Sequence, residues 1–345
     1  MNFDIGLMLV QDGIVNGAIY ALLALSTVLV FQITRVIYIP TGSFVAFGAL
    51  TLAALQTGGF PATAWLLAAG SFLVAALDIW RHQWRTARDL ARIIAVNIAF
   101  PAALVAVLMA AQTSEMPVIV QAIICCLILV PLGPVVYRLV YAPLASASVL
   151  VLLIVSIAVD VALVSFGLLC FGSDGKRAPL MVDMDFALGP LTVTGQSLVI
   201  IGVSIVLVVG LYIYFEHTME GKALRATAVN RVGARLMGIA TGTSGKRAFA
   251  LATFIAVCAG ILAAPTTTIY YDTGFLIGLR GLVGAIIGGL ASYPLAALGA
   301  IALGIVESFS AFEASAFKEV IVFSLLIPVL LMRSLFSQDT GHDDE

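Results

Sequence analysis

The chain has 345 residues, 61% of them hydrophobic and only 10% charged, whereas a soluble domain carries roughly a quarter charged residues. With a mean hydropathy of +1.12 and a net charge of −2, there is too little polar side chain to coat a soluble surface and no charge excess to attract nucleic acid. The sequence reads as an integral membrane protein.

The N-terminus, "MNFDIGLMLVQDG", lacks a basic leader, so the first apolar run is expected to stay as a membrane helix. About twenty apolar residues cross a bilayer core of roughly 30 Å. Apolar runs fall at 12–33, 41–56, 62–77, 93–111, 118–137, 148–170, 197–215, 248–264, 276–292, 295–312 and 317–333. The ninth and tenth are separated only by Ser292-Tyr293-Pro294 and read either as two spans or as a re-entrant piece plus one. The expectation is an all-α polytopic membrane protein with about nine to eleven transmembrane helices, eleven preferred, forming one domain over 1–345.

Placing the N-terminus outside and the C-terminus inside puts Arg35, the four arginines of 78–92, Arg138, the six basic residues of 216–247 and Arg333 on the inner face. Lys176, Arg177, Arg280 and Lys318 then lie on or near the outer one. That asymmetry is the one insertion favours. The outer loop 171–196 carries Gly-Pro punctuation and "LTVTG", which suggests a small β-hairpin. The acidic tail at 337–345 reads as disordered. Cys125, Cys126, Cys170 and Cys258 lie in apolar runs without metal-ligand spacing, and no metal or cofactor is expected.

The segment "GKALRATAVNRVGARLMGIATGTSGKR" at 221–247 is a basic island. Its end looks like a phosphate-binding loop, but Ala240 and Arg247 stand where that loop requires Gly and Ser or Thr. No ATP-hydrolysing motif occurs elsewhere, so the chain is not expected to be an enzyme by itself. Two readings stay open: a topology signal, or a docking element built on an amphipathic helix over 222–237. In the second, Leu224, Ala228, Val232 and Leu236 recur at helical spacing and Gly238 ends the helix.

Ionisable groups inside spans cost roughly 2.5–3.5 kcal/mol at a helix centre on insertion scales. Asp160 and Glu307 are two such groups. Each reads either as part of a polar pathway or as a helix–helix lock, with Arg280 a partner for Glu307. "PTGS" at 40–43 reads as a break in a pathway-lining helix or as an ordinary helix start. Glycines 274, 278, 281, 284, 288 and 289 recur at close-packing spacing.

The loop "GKALRATAVNRVGARLMGI" resembles that of LivH-type permeases, the membrane subunits of branched-chain amino-acid ABC importers. So do, in order, "NGAIYALLAL" at 16–25, "YAPL" at 141–144, "LCFGSD" at 169–174, the Gly-rich stretch 274–308 and "FKEVIVFSLLIPVLL" at 317–331. The resemblance implies an ABC importer permease fold in the bacterial cytoplasmic (inner) membrane. It implies cytoplasmic ATP-binding subunits, a second homologous permease and a periplasmic or extracellular solute-binding protein as partners. It also implies coupling residues in 216–247, here Gly221, Arg225, Ala228, Asn230, Arg231, Arg235 and Gly238, and a branched-chain or other hydrophobic amino acid as solute. Pathway candidates are Thr41, Gly42, Ser43, Asp160, Ser165, Arg280 and Glu307. Where the family reads Asn-Phe-Ala-His-Gly-Glu this chain has "IYIPTGSF", so that Thr41 and Ser43 replace polar residues, and Leu163-Val164-Ser165 replaces Leu-Gln-Asn. The stretch 78–117 is longer than the usual connection. Related permeases for urea, short amides or aromatic acids therefore remain alternatives, as does a stand-alone transporter or channel.

Overall fold

A backbone inside lipid must satisfy its own hydrogen bonds, so apolar sequence of this length folds as helix. The computed structural model describes residues 3–80, 91, 93–110, 113–145, 147–188 and 191–331. Along them run α1 (Phe3–Thr34), α2 (Thr41–Gln56) and α3 (Thr63–Trp80), then α4 (Ala95–Ala110), α5 (Val118–Tyr141) and α6 (Val149–Phe171). A hairpin follows, β1 (Asp185–Leu188) and β2 (Leu191–Thr194), and then α7 (Gly195–His217), α8 (Met219–Val229), α9 (Arg231–Leu236), α10 (Thr241–Ala263), α11 (Thr273–Ile287), α12 (Tyr293–Glu313) and α13 (Lys318–Ser324).

Seven of these, α1, α3, α5, α6, α7, α10 and α12, are long and apolar enough to cross a membrane by themselves, whereas α2, α4 and α11 are shorter. Each apolar run of the sequence forms helix over most of its described length, while 288–292 turns between α11 and α12. Helix starts follow side-chain caps that accept an otherwise unpaired backbone N–H. Ser148 does this for α6, Thr194 for α7, Thr218 for α8 and Ser292 for α12. The four arginines of 78–92, Arg333 and the acidic tail lie outside the described residues or among their undescribed neighbours.

Lipid offers helices no hydrophobic drive to associate, so close packing through small residues holds them. Gly13 and Gly17 of α1 press on the backbone of Ile305 and Ile301 in α12. A Cβ at Gly278 of α11 would lie 2.7 Å from the Gly42 Cα of α2, and Gly281 and Gly284 meet Leu23 and Ala300. The glycine stripe of α11 is therefore spent inside this chain. At the centre lies α2, buried all round from Thr41 to Leu55, with α1, α10 and α11 against it. By contrast α6 and α7 keep most of their surface outward, for example Leu150, Ile154, Val206 and Ile213.

The bundle has two ends. At one, the hairpin packs by α1, where Gln11 donates to the Thr192 carbonyl at 3.2 Å, and Arg177 donates to the Pro265 carbonyl at 2.9 Å. The hairpin is antiparallel, with Phe186 opposite Val193. At the other, Gln32 at the foot of α1 donates to the Ala291 carbonyl, and Arg231 donates to the Ala145 carbonyl at 3.4 Å. Arg138, Lys222, Arg225, Arg231, Arg235, Lys246 and Arg247 gather at this second, basic end; Lys176, Arg177 and Lys318 lie toward the first.

Candidate functional site

The basic island does not form one helix over 222–237. Asn230 breaks it: its backbone turns extended (φ −146°, ψ 100°), and its side-chain oxygen accepts the Gly233 N–H at 2.9 Å to start α9. An Asn side chain competes well with helix continuation because it supplies that cap itself. Gly238, at φ +82°, ends α9 in the left-handed conformation. The island is also narrower than 216–247, since α7 runs to His217 and α10 begins at Thr241.

The arginines of this element point back to the protein. Arg225 pairs with Glu216 at 2.5 Å, Arg247 with Glu220 at 2.7 Å, and Arg235 donates to the Thr241 hydroxyl at 3.4 Å. The hydrogen bond that Arg225 donates to Glu216 holds its guanidinium pKa above even its ordinary value. Gly221 lets α8 approach the Tyr214–Phe215 backbone, Leu224 is buried, and the Thr227 and Ser244 hydroxyls lie 3.3 Å apart. Beside the exposed Lys222, Arg225 and Arg235, large apolar side chains face outward: Val229, Val232, Leu236 and Met237 are each more than 70% exposed. Ala228 is half-buried, lining with Leu224, Arg225, Phe215 and Tyr293 an apolar groove of about 370 Å³ between α1, α7, α8 and α12.

A second cluster lies in the bundle interior. Ser43 donates to Asp160 Oδ1 at 2.6 Å, both side chains being buried. Asp160 is midway along α6, so the first turn of α2 begins level with the middle of a spanning helix. The preceding residues 35–40 are not helical, and irregular backbone at depth needs partners from protein. Ser156 supplies one, accepting the Ile39 N–H at 3.3 Å while sharing a 2.9 Å hydrogen bond with the Tyr141 hydroxyl. Tyr38 packs edge to face against Tyr141 and Phe249, and Tyr141 and Phe249 are tilted on each other with ring centroids 5.0 Å apart. Thr41 turns its hydroxyl to the Tyr38 carbonyl at 3.1 Å, and Gly42 meets Gly274, which begins the other short helix, α11. Two helix N-termini thus meet beside a buried carboxylate, an arrangement that favours negative charge. Ser165 is not part of it: it is exposed and bonds only to the Val161 carbonyl of its own helix.

The third cluster joins α11, α12 and α13. Arg280 contacts Glu307 at 3.2 Å, Glu319 at 2.5 Å and the Tyr20 hydroxyl at 3.1 Å, and Lys318 reaches Glu307 at 2.9 Å. Arg280 and Glu307 are buried and tie three helices together, as a polar lock does. Glu307 and Lys318 also edge a cleft of about 470 Å³ toward the hairpin end, with Asp12, Asn16, Ser197 and Thr266.

Residues 89–330 match the protein family described as branched-chain amino acid transport system / permease component. The chain belongs to this family. It is 25% identical over 334 residues to the high-affinity branched-chain amino acid transport system permease protein LivH of Salmonella typhimurium, covering 93% of this chain and 91% of that one. The LivH of Escherichia coli K12 gives the same identity and coverage. It is 30% identical to the permease protein BraD of Pseudomonas aeruginosa over 203 residues, 57% of this chain and 66% of that one. No solved structure matches.

Within this permease, the structure brings together Thr41, Gly42, Ser43 and Asp160 in one place and Arg280 with Glu307 in another. Sequence reasoning did not single out Tyr38, Tyr141 and Ser156, which complete the first cluster. It also passed over the exposed Val229 and Met237. A signal for the latter was present: bulky apolar residues flank polar Asn230 and Gly238 in a stretch too short to enter a membrane.

Proposed function

We propose that this permease is the membrane-spanning subunit of an ATP-driven importer for a branched-chain or other hydrophobic amino acid. It sits in the bacterial cytoplasmic membrane with the basic end inside. Cytoplasmic ATP-binding subunits dock on α8 and α9, a solute-binding protein delivers at the hairpin end, and a second homologous permease completes the pathway. The single observation that carries this reading is the apolar face of Val229, Val232, Leu236 and Met237 beyond the last spanning turn of α7. An exposed apolar patch on an extramembrane element marks a protein contact, and the arginine clamps make that element rigid enough to transmit a push into α7 and α10.

The names of LivH and BraD support the solute class, and the positive-inside asymmetry supports the orientation. The solute pathway runs past the cleft at Glu307 and Lys318 toward Ser43 and Asp160. There the N-termini of two short helices flank a solute site near the membrane midplane, the arrangement discontinuous helices provide in other transporters. The chain itself carries out no chemistry, the energy coming from the separate ATPase.

The test is reconstitution. Sealed vesicles holding this permease, its partner permease, the ATPase and the binding protein should accumulate leucine only with internal ATP. Accumulation by the permease alone, without ATPase, would refute the importer reading.

A further inference from the structure

At the basic end, helices α3, α4, α5 and α10 line a two-part cleft. Its polar part, about 180 Å³, is lined by Asp78, Arg138 and Lys246 with apolar neighbours such as Leu77 and Leu139. An apolar groove of about 540 Å³ adjoins it, sharing Arg138 and Lys246 and running past Val96, Phe100, Pro131 and Val135. Two cations and one anion meet here. Arg138 is ion-paired with Asp78, whose side chain is only 9% exposed. The half-buried Lys246 has no hydrogen bond or ion pair among the described residues. Among the described lining residues, one positive charge is left uncompensated at the mouth of an apolar trough. The lining of that trough includes the outward apolar side chains Val96 and Phe100, so it opens toward lipid rather than water.

We propose that this cleft binds an anionic phospholipid, with its phosphate between Lys246 and Arg138 and one acyl chain along the Val96–Phe100–Val135 groove. A half-buried ammonium is costly until an anion joins it, and basic pockets between membrane helices at their headgroup-level end recruit anionic headgroups. The groove decides between lipid and a free phosphate, because a small anion would fill only the polar part. The site binds lipid through α10, the helix that leaves the α8–α9 element, and is independent of any solute.

The experiment is native mass spectrometry of the full chain, purified in detergent and delipidated, then titrated with phosphatidylglycerol, phosphatidylcholine of the same acyl chains, or inorganic phosphate. The proposal expects phosphatidylglycerol to be retained at least tenfold more tightly than phosphatidylcholine. Lys246→Gln should abolish that preference, Lys246→Arg should keep it, and Lys222→Gln on exposed α8 should leave it unchanged. Inorganic phosphate should not displace the lipid. Equal retention of the two lipids, an unchanged preference in Lys246→Gln, or its loss in the charge-keeping Lys246→Arg would overturn the proposal. Displacement by millimolar phosphate would overturn it in favour of a free-anion site.

Discussion

Truncating Leu236 and Met237 together to alanine tests whether the apolar face of α9, rather than its arginines, is the docking contact. The two side chains are 82% and 83% exposed, so nearly all of their apolar surface is available to a partner. Fully burying a Leu or Met contributes about 1.5–3 kcal/mol. An interface recovers only part of this after ordering and desolvation. Taking about half, the pair supplies about 1.5–3 kcal/mol, or roughly ten- to a hundredfold in affinity. The assay is binding of the ATP-binding subunit to the permease in nanodiscs, alongside its ATP hydrolysis. The double variant should bind about ten- to a hundredfold more weakly while remaining folded in the membrane. Arg225→Ala, which removes an exposed pair with Glu216 inside the same chain, should change affinity by only severalfold, since exposed ion pairs are weak. An affinity unchanged within threefold in the alanine pair, together with complete loss in Arg225→Ala, would refute the assignment and make the arginines the contact.

The remaining predictions concern the interior and the orientation. Arg280→Gln should lower stability by about 3 kcal/mol, since it strips the buried Glu307 of one cation. Adding Glu307→Gln should recover part of that loss in detergent melts, and strictly additive losses would deny the coupling. Gly42→Ala should cost about 1–3 kcal/mol through overpacking on α11, while Gly202→Ala, with open space around it, should be neutral or stabilising in the same melts. Ser43→Ala should raise the KM for solute uptake with little change in ATPase-subunit affinity. An unaltered KM would remove Ser43 and Asp160 from the pathway. In a chain lacking its four cysteines, Thr192→Cys should react with an impermeant maleimide in intact cells and Leu236→Cys only after permeabilisation; the reverse pattern would invert the orientation.

Membrane helices are legible because their cause is local. A run of apolar residues has one way to satisfy its backbone, and the eleven runs of this chain are helical over most of their described length. Depth is less legible. "IYIPTGSF" shows a break through Pro40 and Gly42, yet only the 2.6 Å contact with Asp160 sets that break level with the middle of α6, because depth is fixed by a partner 117 residues away. The α11 glycines announce close packing but not with what; Gly42, Leu23 and Ala300 become their neighbours only once α1, α2 and α12 surround them.

Charge gave the most incomplete reading, and the reason is geometric. Six basic residues in 216–247 place that segment on one face, and this much follows from counting. Counting cannot say where a guanidinium points. Glu216 and Glu220 are the only acids of that segment, and the fold brings them to Arg225 and Arg247, so two of the six basic residues are engaged as fastening within the chain. The cost of displaying Leu236 and Met237 to water remains, unless another surface covers them. A segment marked by its charge therefore holds some of the most exposed apolar side chains among the described residues, and this mismatch, more than the positive charge, argues that α8 and α9 were built to meet a partner.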